Sequence, residues 1–375
     1  MPGTTHYDSV QARRLVKIGK ESVEHVSATE FPGHYPHEHH AWDFSHFQEH
    51  LSVMVNSLSD QAIEFDLVGV DASVANAFRR IVIAEVPTIA IETVYVWNNT
   101  TIVQDEVLAQ RLGLIPLHID PRKLQSKQGE RQSAPLRTTV GTGPEDEPTD
   151  LNTVVFNLVA RCERRKDVKK NEKESAKIWT GTEVLSSQLE FDPKGSQAEI
   201  FGGDTPRAAA GDILLAKMRG GQLRVVAACL RLGSLLIPCA QEIVAELHCN
   251  KGIGKDHAKW SPAATASYRL LPSITLKQAI PASLHAKFAA CFPAGVVDIS
   301  SGSVRIVNAR ADTVSREVLR HTEFEGIVDL GRIRDHFIFS IESAGQYSPD
   351  ELFPAAGDVL LAKIRNLRQC LRTAM

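Results

Sequence analysis

No two of the six cysteines, Cys162, Cys229, Cys239, Cys249, Cys291 and Cys370, stand two residues apart. A zinc ribbon or a cysteine-held iron–sulfur cluster needs such pairs to bring thiolates onto one ion, so no structural metal is expected. Apolar runs are also short. None reaches the roughly 18 to 20 uninterrupted residues of a membrane-spanning helix, and the opening MPGTTHYDSVQARR holds no signal-type apolar segment. The reading is an intracellular protein with reduced thiols and no membrane partner. Excess positive charge is missing as well. The formal net charge is −3, whereas a chain that grips DNA by itself is usually basic.

Catalytic patterns are equally scarce. Lys251-Gly252-Ile253-Gly254-Lys255 lacks the spacing of a phosphate-binding loop, and Asp256 stands where a Ser or Thr is required. Cys249 and His257 are near one another in sequence and suggest a thiol–imidazole pair, but no third orienting group accompanies them. The simpler reading is a glycine-bent loop between two strands, Ile243 to His248 and Ala264 to Leu271. A stand-alone thiol enzyme remains the competing class. No catalytic residue and no cofactor is assigned. His34, His37, His39, His40, His46 and His50 fall close together. Such a tract can take up a transition metal, but it reads as part of a solvated arm.

What is present is a dense helix–strand–helix stretch from Asp71 to Leu117. Asp71 or Ser73 can cap the first helix. Val74, Ala77, Phe78, Ile81 and Ala84 recur at helical spacing and predict a core-facing stripe. Val82, Ile83 and Val86 make other faces apolar, and Pro87 ends the helix. Arg79 and Arg80 interrupt this apolar surface. A guanidinium in such surroundings suits a carboxylate or a row of carbonyls on a partner, although surface arginines commonly just reach into water. Thr88 to Trp97 reads as a strand and Asn98-Asn99-Thr100 as a turn. Gln104 to Leu112 reads as a second helix, with Asp105 and Glu106 in its first turn and Gly113 just past its end.

Ala75-Asn76-Ala77-Phe78-Arg79-Arg80, Ala84-Glu85-Val86-Pro87-Thr88, Asn98-Asn99-Thr100, Asp105-Glu106-Val107-Leu108-Ala109 and Arg111-Leu112-Gly113-Leu114-Ile115-Pro116 together resemble the alpha motif of cellular RNA polymerases. A sharper likeness, to the larger alpha-like subunits shared by RNA polymerases I and III, lies in Lys251 to Pro262, running on through Ala264 to Pro272. Phe31-Pro32-Gly33, Ala41-Trp42-Asp43, Asp312-Thr313, Ser315-Arg316-Glu317 and Arg334 to Ser343 share it. The resemblance implies a non-catalytic assembly subunit. It would pair with a smaller alpha-like subunit, dock the second-largest subunit, and meet DNA only through the complex. Its place would be the nucleus, including the nucleolus, in rRNA, tRNA and 5S RNA synthesis. The magnesium-dependent site would lie on the largest subunits, and this chain shows no aspartate cluster able to hold those ions. The third subunit of RNA polymerase II is the alternative within the family.

The implied fold is α+β, a dimerisation domain of the alpha-subunit type interrupted by an inserted, mostly-β domain. The boundaries expected are a flexible arm over 1–45, a discontinuous dimerisation domain over 46–87 and 272–375, and the insertion over 88–271. The insertion holds a linker-like stretch, Gln125 to Asp150, and a basic run, Arg161 to Lys173. Ala210 to Arg219 nearly repeats Ala356 to Arg365. The first copy reads as a strand and the second as helix. Between Leu223 and Ala240 lie 18 mainly apolar residues where relatives of this type have a short turn, which fits a lineage-specific contact or, the favoured reading, a retained intron.

The chain closes on a helix announced by a capping box, Ser348-Pro349-Asp350-Glu351. Pro354 and Gly357 allow a kink or a late start. Leu360, Ile364, Leu367 and Leu371 form its apolar stripe, which would be core or interface. By resemblance, Phe78, Ile81 and this stripe are assigned to the dimer side. Arg79, Arg80, Lys251, Lys255, Asp256 and His257 are assigned to subunit docking.

Overall fold

The computed structural model describes residues 15–24, 26, 43–125, 148–165, 178–219, 241–300 and 302–374. Its strands, in chain order, are β1 (Leu15–Ile18), β2 (Val23–Glu24), β3 (Ser52–Leu58), β4 (Ala62–Val68), β5 (Pro87–Asn99), β6 (Leu117–His118), β7 (Thr153–Arg164), β8 (Trp179–Thr180), β9 (Glu183–Leu185), β10 (Leu189–Asp192), β11 (Arg207–Ala208), β12 (Leu214–Lys217), β13 (Gln241–Ile253), β14 (Ala263–Leu276), β15 (Val297–Asp298), β16 (Arg305–Ile306) and β17 (Val328–Ser343). Three helices matter most: the arginine helix (Ala72–Ala84), the short helix Asp105–Gly113 and the terminal helix (Pro349–Ala374). Two compact units emerge, one of residues 1–79 and 266–341, the other of 80–265 and 342–375. The division passes through the arginine helix, β14 and β17. It differs from the expected boundaries in grouping the terminal helix with the second unit.

The first unit holds a six-stranded sheet ordered β2-β1-β17-β4-β3, with β14 also on β17. Phe65 stacks on Phe339 with ring centroids 5.2 Å apart, and Tyr268 meets Phe337 edge-on at 5.2 Å. The expected arm over 1–45 is therefore not wholly an arm. Leu15–Ile18 pairs antiparallel with Ile333–Leu330, and Val16 and Ile18 are buried. Four residues of alternation were too short a signal to stand out in a polar stretch. A charged cluster ties distant segments of this unit together. Arg310 Nη1 donates to both oxygens of Asp66, at 2.6 and 2.8 Å, and Arg310 Nε donates to Glu64 at 3.0 Å. His336 Nε2 lies 2.9 Å from Asp66, and the Asn56 amide donates to it at 2.9 Å. Burial opposes the charge on Asp66, yet the bonds from Arg310 and His336 outweigh it and hold the carboxyl below its ordinary range.

The second unit is built on the sheet β10-β7-β13-β5. β13 alternates buried and half-buried residues, and Ile243, Ala245, Leu247 and Cys249 point into the core. That core also takes Ile89 and Ile91 from β5, Phe156 and Leu158 from β7, and Leu108 and Leu112 from the short helix. The two expected strands fall within β13 and β14. Asn98 and Asn99, expected in a turn, are instead the last residues of β5, and the bend follows over 101–103, held by the Asn99 amide, which donates to Val103 O at 2.9 Å and to Asp105 at 2.6 Å. Gly113 is the last residue of the short helix rather than a residue beyond it. The cap is Leu114 in right-handed conformation, so no left-handed residue is needed there. The near-repeat divides as expected, with strand β12 in the first copy and terminal helix in the second. The stretch 223–240, most of the linker, most of the basic run, and His34, His37, His39 and His40 lie outside the described residues.

Candidate subunit interface

The arginine helix starts at Asp71, whose carboxylate accepts from Ser73 N at 2.8 Å. The Ser73 bonds hold the Asp71 carboxyl below its usual range. Its buried face is only partly the expected one. Ala75, Val82 and Val86 are fully buried together with Ile81, whereas Val74 is exposed and Ala77, Phe78 and Ala84 are half-buried. A helix apolar on nearly all faces has no single periodic stripe to mark its inner side. Arg79 does not wait for a partner's acceptor. Its Nε and Nη2 donate to Asn76 Oδ1, one turn back, at 3.1 and 3.0 Å. Arg80 is exposed, and its side chain makes no bond among the described residues.

Within the second unit, the loop after β13 closes over the end of this helix. Lys255 N–H donates to Ala84 O at 2.7 Å, satisfying a carbonyl that the helix leaves unpaired. Gly254 permits this approach, since a Cβ there would sit 2.4 Å from Ile83 O. Gly252 lies against Trp260, where a Cβ would meet the indole at 2.4 Å. Trp260 Nε1 donates to Asn250 O at 3.1 Å, and Thr88 Oγ1 donates to Trp260 O at 2.7 Å. Lys259 donates to Ile91 O at 3.0 Å, pairs with Glu92 and lies 4.4 Å over the Trp260 ring. On this frame Lys255, Asp256 and His257 are exposed. Lys251 is turned inward instead. Its ammonium donates to Leu124 O at 3.2 Å, and burial pushes its pKa below the ordinary lysine value.

This loop carries no thiol chemistry. Cys249 is fully buried in the core of the second unit, and burial pushes its thiol far up, away from the reactive thiolate. His257 Nδ1 accepts from Lys259 N at 3.1 Å, a local turn bond. Among the described residues no three His, Cys, Asp or Glu side chains converge as metal ligands, and no helix is long and apolar enough to cross a membrane.

The terminal helix begins beside the same region of the second unit. Tyr347 OH donates to Pro87 O at 2.8 Å, and burial raises its phenol pKa. Leu352 and Ala356 are buried, Lys363 pairs with Glu85, and Arg122 reaches Glu351 at 3.8 Å. The helix runs unbroken through Pro354 and Gly357, so it has no late start. The Ser348 hydroxyl donates to Asp350, rather than completing the expected box with Glu351. Beyond Leu360 the burial stops. Leu361, Ile364, Leu367 and Leu371 are 47–63% exposed. Among the described residues nothing covers this apolar stripe.

Comparison with known proteins gives this open helix a context. Residues 64–364 match the RNA polymerase Rpb3/Rpb11 dimerisation domain. The chain belongs to this family of polymerase dimerisation-domain subunits. Within it, the chain is 41% identical over 360 residues to the DNA-directed RNA polymerases I and III subunit RPAC1 of Mus musculus, covering 95% of this chain and 94% of that protein. Against the RPAC1 subunit of Saccharomyces cerevisiae it is 41% identical over 360 residues, covering 95% and 98%. The DNA-directed RNA polymerase II subunit rpb3 of Dictyostelium discoideum is 28% identical over 324 residues, covering 83% and 91%.

Sequence reasoning missed two features of these units. Trp260, Thr88, Lys259 and Tyr347 form the support beneath the loop, and their partners lie far off in the chain. The Arg310–Glu64–Asp66–His336 cluster likewise joins residues more than 240 positions apart.

Proposed function

We propose that this chain is the non-catalytic assembly subunit shared by RNA polymerases I and III, pairing with a smaller, Rpb11-type alpha-like subunit and then docking the second-largest subunit. The observation that carries the reading is the open stripe of the terminal helix, in a chain whose family is defined by dimerisation. The likeness to RPAC1 proteins, at 41% against 28% for a polymerase II subunit, supports polymerases I and III over polymerase II.

Phe78 and, on the terminal helix, Leu360, Ile364, Leu367 and Leu371 are assigned to the dimer side; Ile81, expected there too, is buried within the chain. Docking is assigned to Arg79, Arg80, Lys255, Asp256 and His257, with Lys251 bracing the loop from below. Residues 46–87 and 272–375 form the discontinuous dimerisation domain, and 88–271 the insertion. The site of action is the nucleus, including the nucleolus, where the complex makes rRNA, tRNA and 5S RNA.

Co-expression tests this directly. With its Rpb11-type partner the chain is expected to purify as a soluble 1:1 complex, and alone to aggregate. A well-behaved monomer that ignores the partner would overturn the reading.

A further inference from the structure

The terminal helix carries a second signal beside its apolar stripe. At about 100° per residue, Leu360, Ile364, Leu367 and Leu371 lie on one line. Arg365, Arg368 and Arg372 lie on a second line along one flank. All three arginines are exposed, and none makes an ion pair among the described residues. The opposite flank differs, because Lys363 is already paired with Glu85. No Asp or Glu occurs between Val359 and Ala374.

Two bland explanations fall short. Cations favour a helix C-terminus, but only within the last turn, which covers Arg372 and leaves Arg365 and Arg368 unexplained. Nor is the ridge a by-product of a basic chain, since the formal net charge is −3.

We propose that the arginine ridge selects the partner, and that the surface covering the stripe is a helix with apolar residues flanked by carboxylates on the side facing Arg365, Arg368 and Arg372. The same ridge works against pairing between two copies of this chain. In an antiparallel pair of copies the ridge faces its own duplicate. In a parallel pair it faces the flank of Lys363. The terminal helix supplies no carboxylate to either arrangement, the Glu85 carboxylate on the Lys363 flank is already paired, and facing like charges disfavour association. The stripe supplies the burial and the ridge decides who is buried. This rests on the reading that the stripe docks the Rpb11-type subunit.

The test uses the full chain co-expressed with that subunit, tagged on the partner and washed in 50 to 500 mM NaCl. Exposed ion pairs are weak and screened by salt, so three of them should change the dissociation rate about tenfold across this range. The triple variant Arg365→Gln, Arg368→Gln, Arg372→Gln should dissociate about tenfold faster at low salt and lose the salt dependence. A triple variant with the salt response of the native chain overturns the ridge. Leu367→Asp with Leu371→Asp tests the underlying reading separately. If that variant still holds the partner, the stripe is not the interface. If it releases the partner while the arginine variant is unchanged, the stripe stands and the charge selection fails. A second arm mixes tagged native chain with an untagged Arg365→Glu, Arg368→Glu, Arg372→Glu variant. Capture of the variant, without capture of a native copy, supports selection by charge. Equal capture of both contradicts it.

Discussion

Gly254 shows how one missing atom shapes the proposed docking surface. Any side chain there would strike the backbone of the arginine helix at Ile83. Gly254→Ala should push the loop off Ala84 and lower the melting temperature of the purified heterodimer by a few degrees, in line with about 1–3 kcal/mol for overpacking. An unchanged melting temperature would mean the loop does not rest on the helix. Asp66 makes a second prediction, about pH. Its folded pKa is depressed, despite burial, by Arg310 and His336. Its contribution is therefore present above the unfolded value of about 4 and is lost as pH falls through the lower folded value. Asp66→Asn should destabilise at neutral pH by about 2 kcal/mol, since Glu64 still holds the partly exposed Arg310. It should also flatten the acid limb of a denaturation profile taken from pH 7 to pH 2. An acid limb identical to that of the native protein would remove Asp66 from this role.

The helices carry the argument at the next scale. Arg80 is exposed and unbonded among the described residues, whereas Arg79 is tied to Asn76. Arg80→Ala should leave the heterodimer intact and weaken capture of the second-largest subunit. Loss of the heterodimer instead would assign this face to the dimer. Much at this scale was legible in the sequence. The arginine helix, the strands on either side of the glycine loop, and the strand and helix copies of the near-repeat all followed from period, proline and glycine placement. The inner face of the arginine helix was not legible, because apolar residues on every side erase the contrast that periodicity reads. The fate of the Leu360–Leu371 stripe was not legible either. The same pattern serves a core or an interface, and the exposure of the stripe among the described residues is what favours the interface. β1 and the Arg310 cluster stayed hidden because their partners are long-range, and local patterns carry no record of such pairings.

For the whole molecule, the account makes folding and assembly one problem. A chain with an open leucine stripe and an arginine ridge is expected to be stable as part of a pair, so that partner binding supplies part of its apparent stability. The most direct measurement is purification of the tagged chain from cells, followed by identification of its stoichiometric companions. The account predicts an Rpb11-type subunit together with the largest subunits of both RNA polymerase I and RNA polymerase III. Recovery with RNA polymerase II subunits alone, or as a solitary soluble monomer, would contradict it.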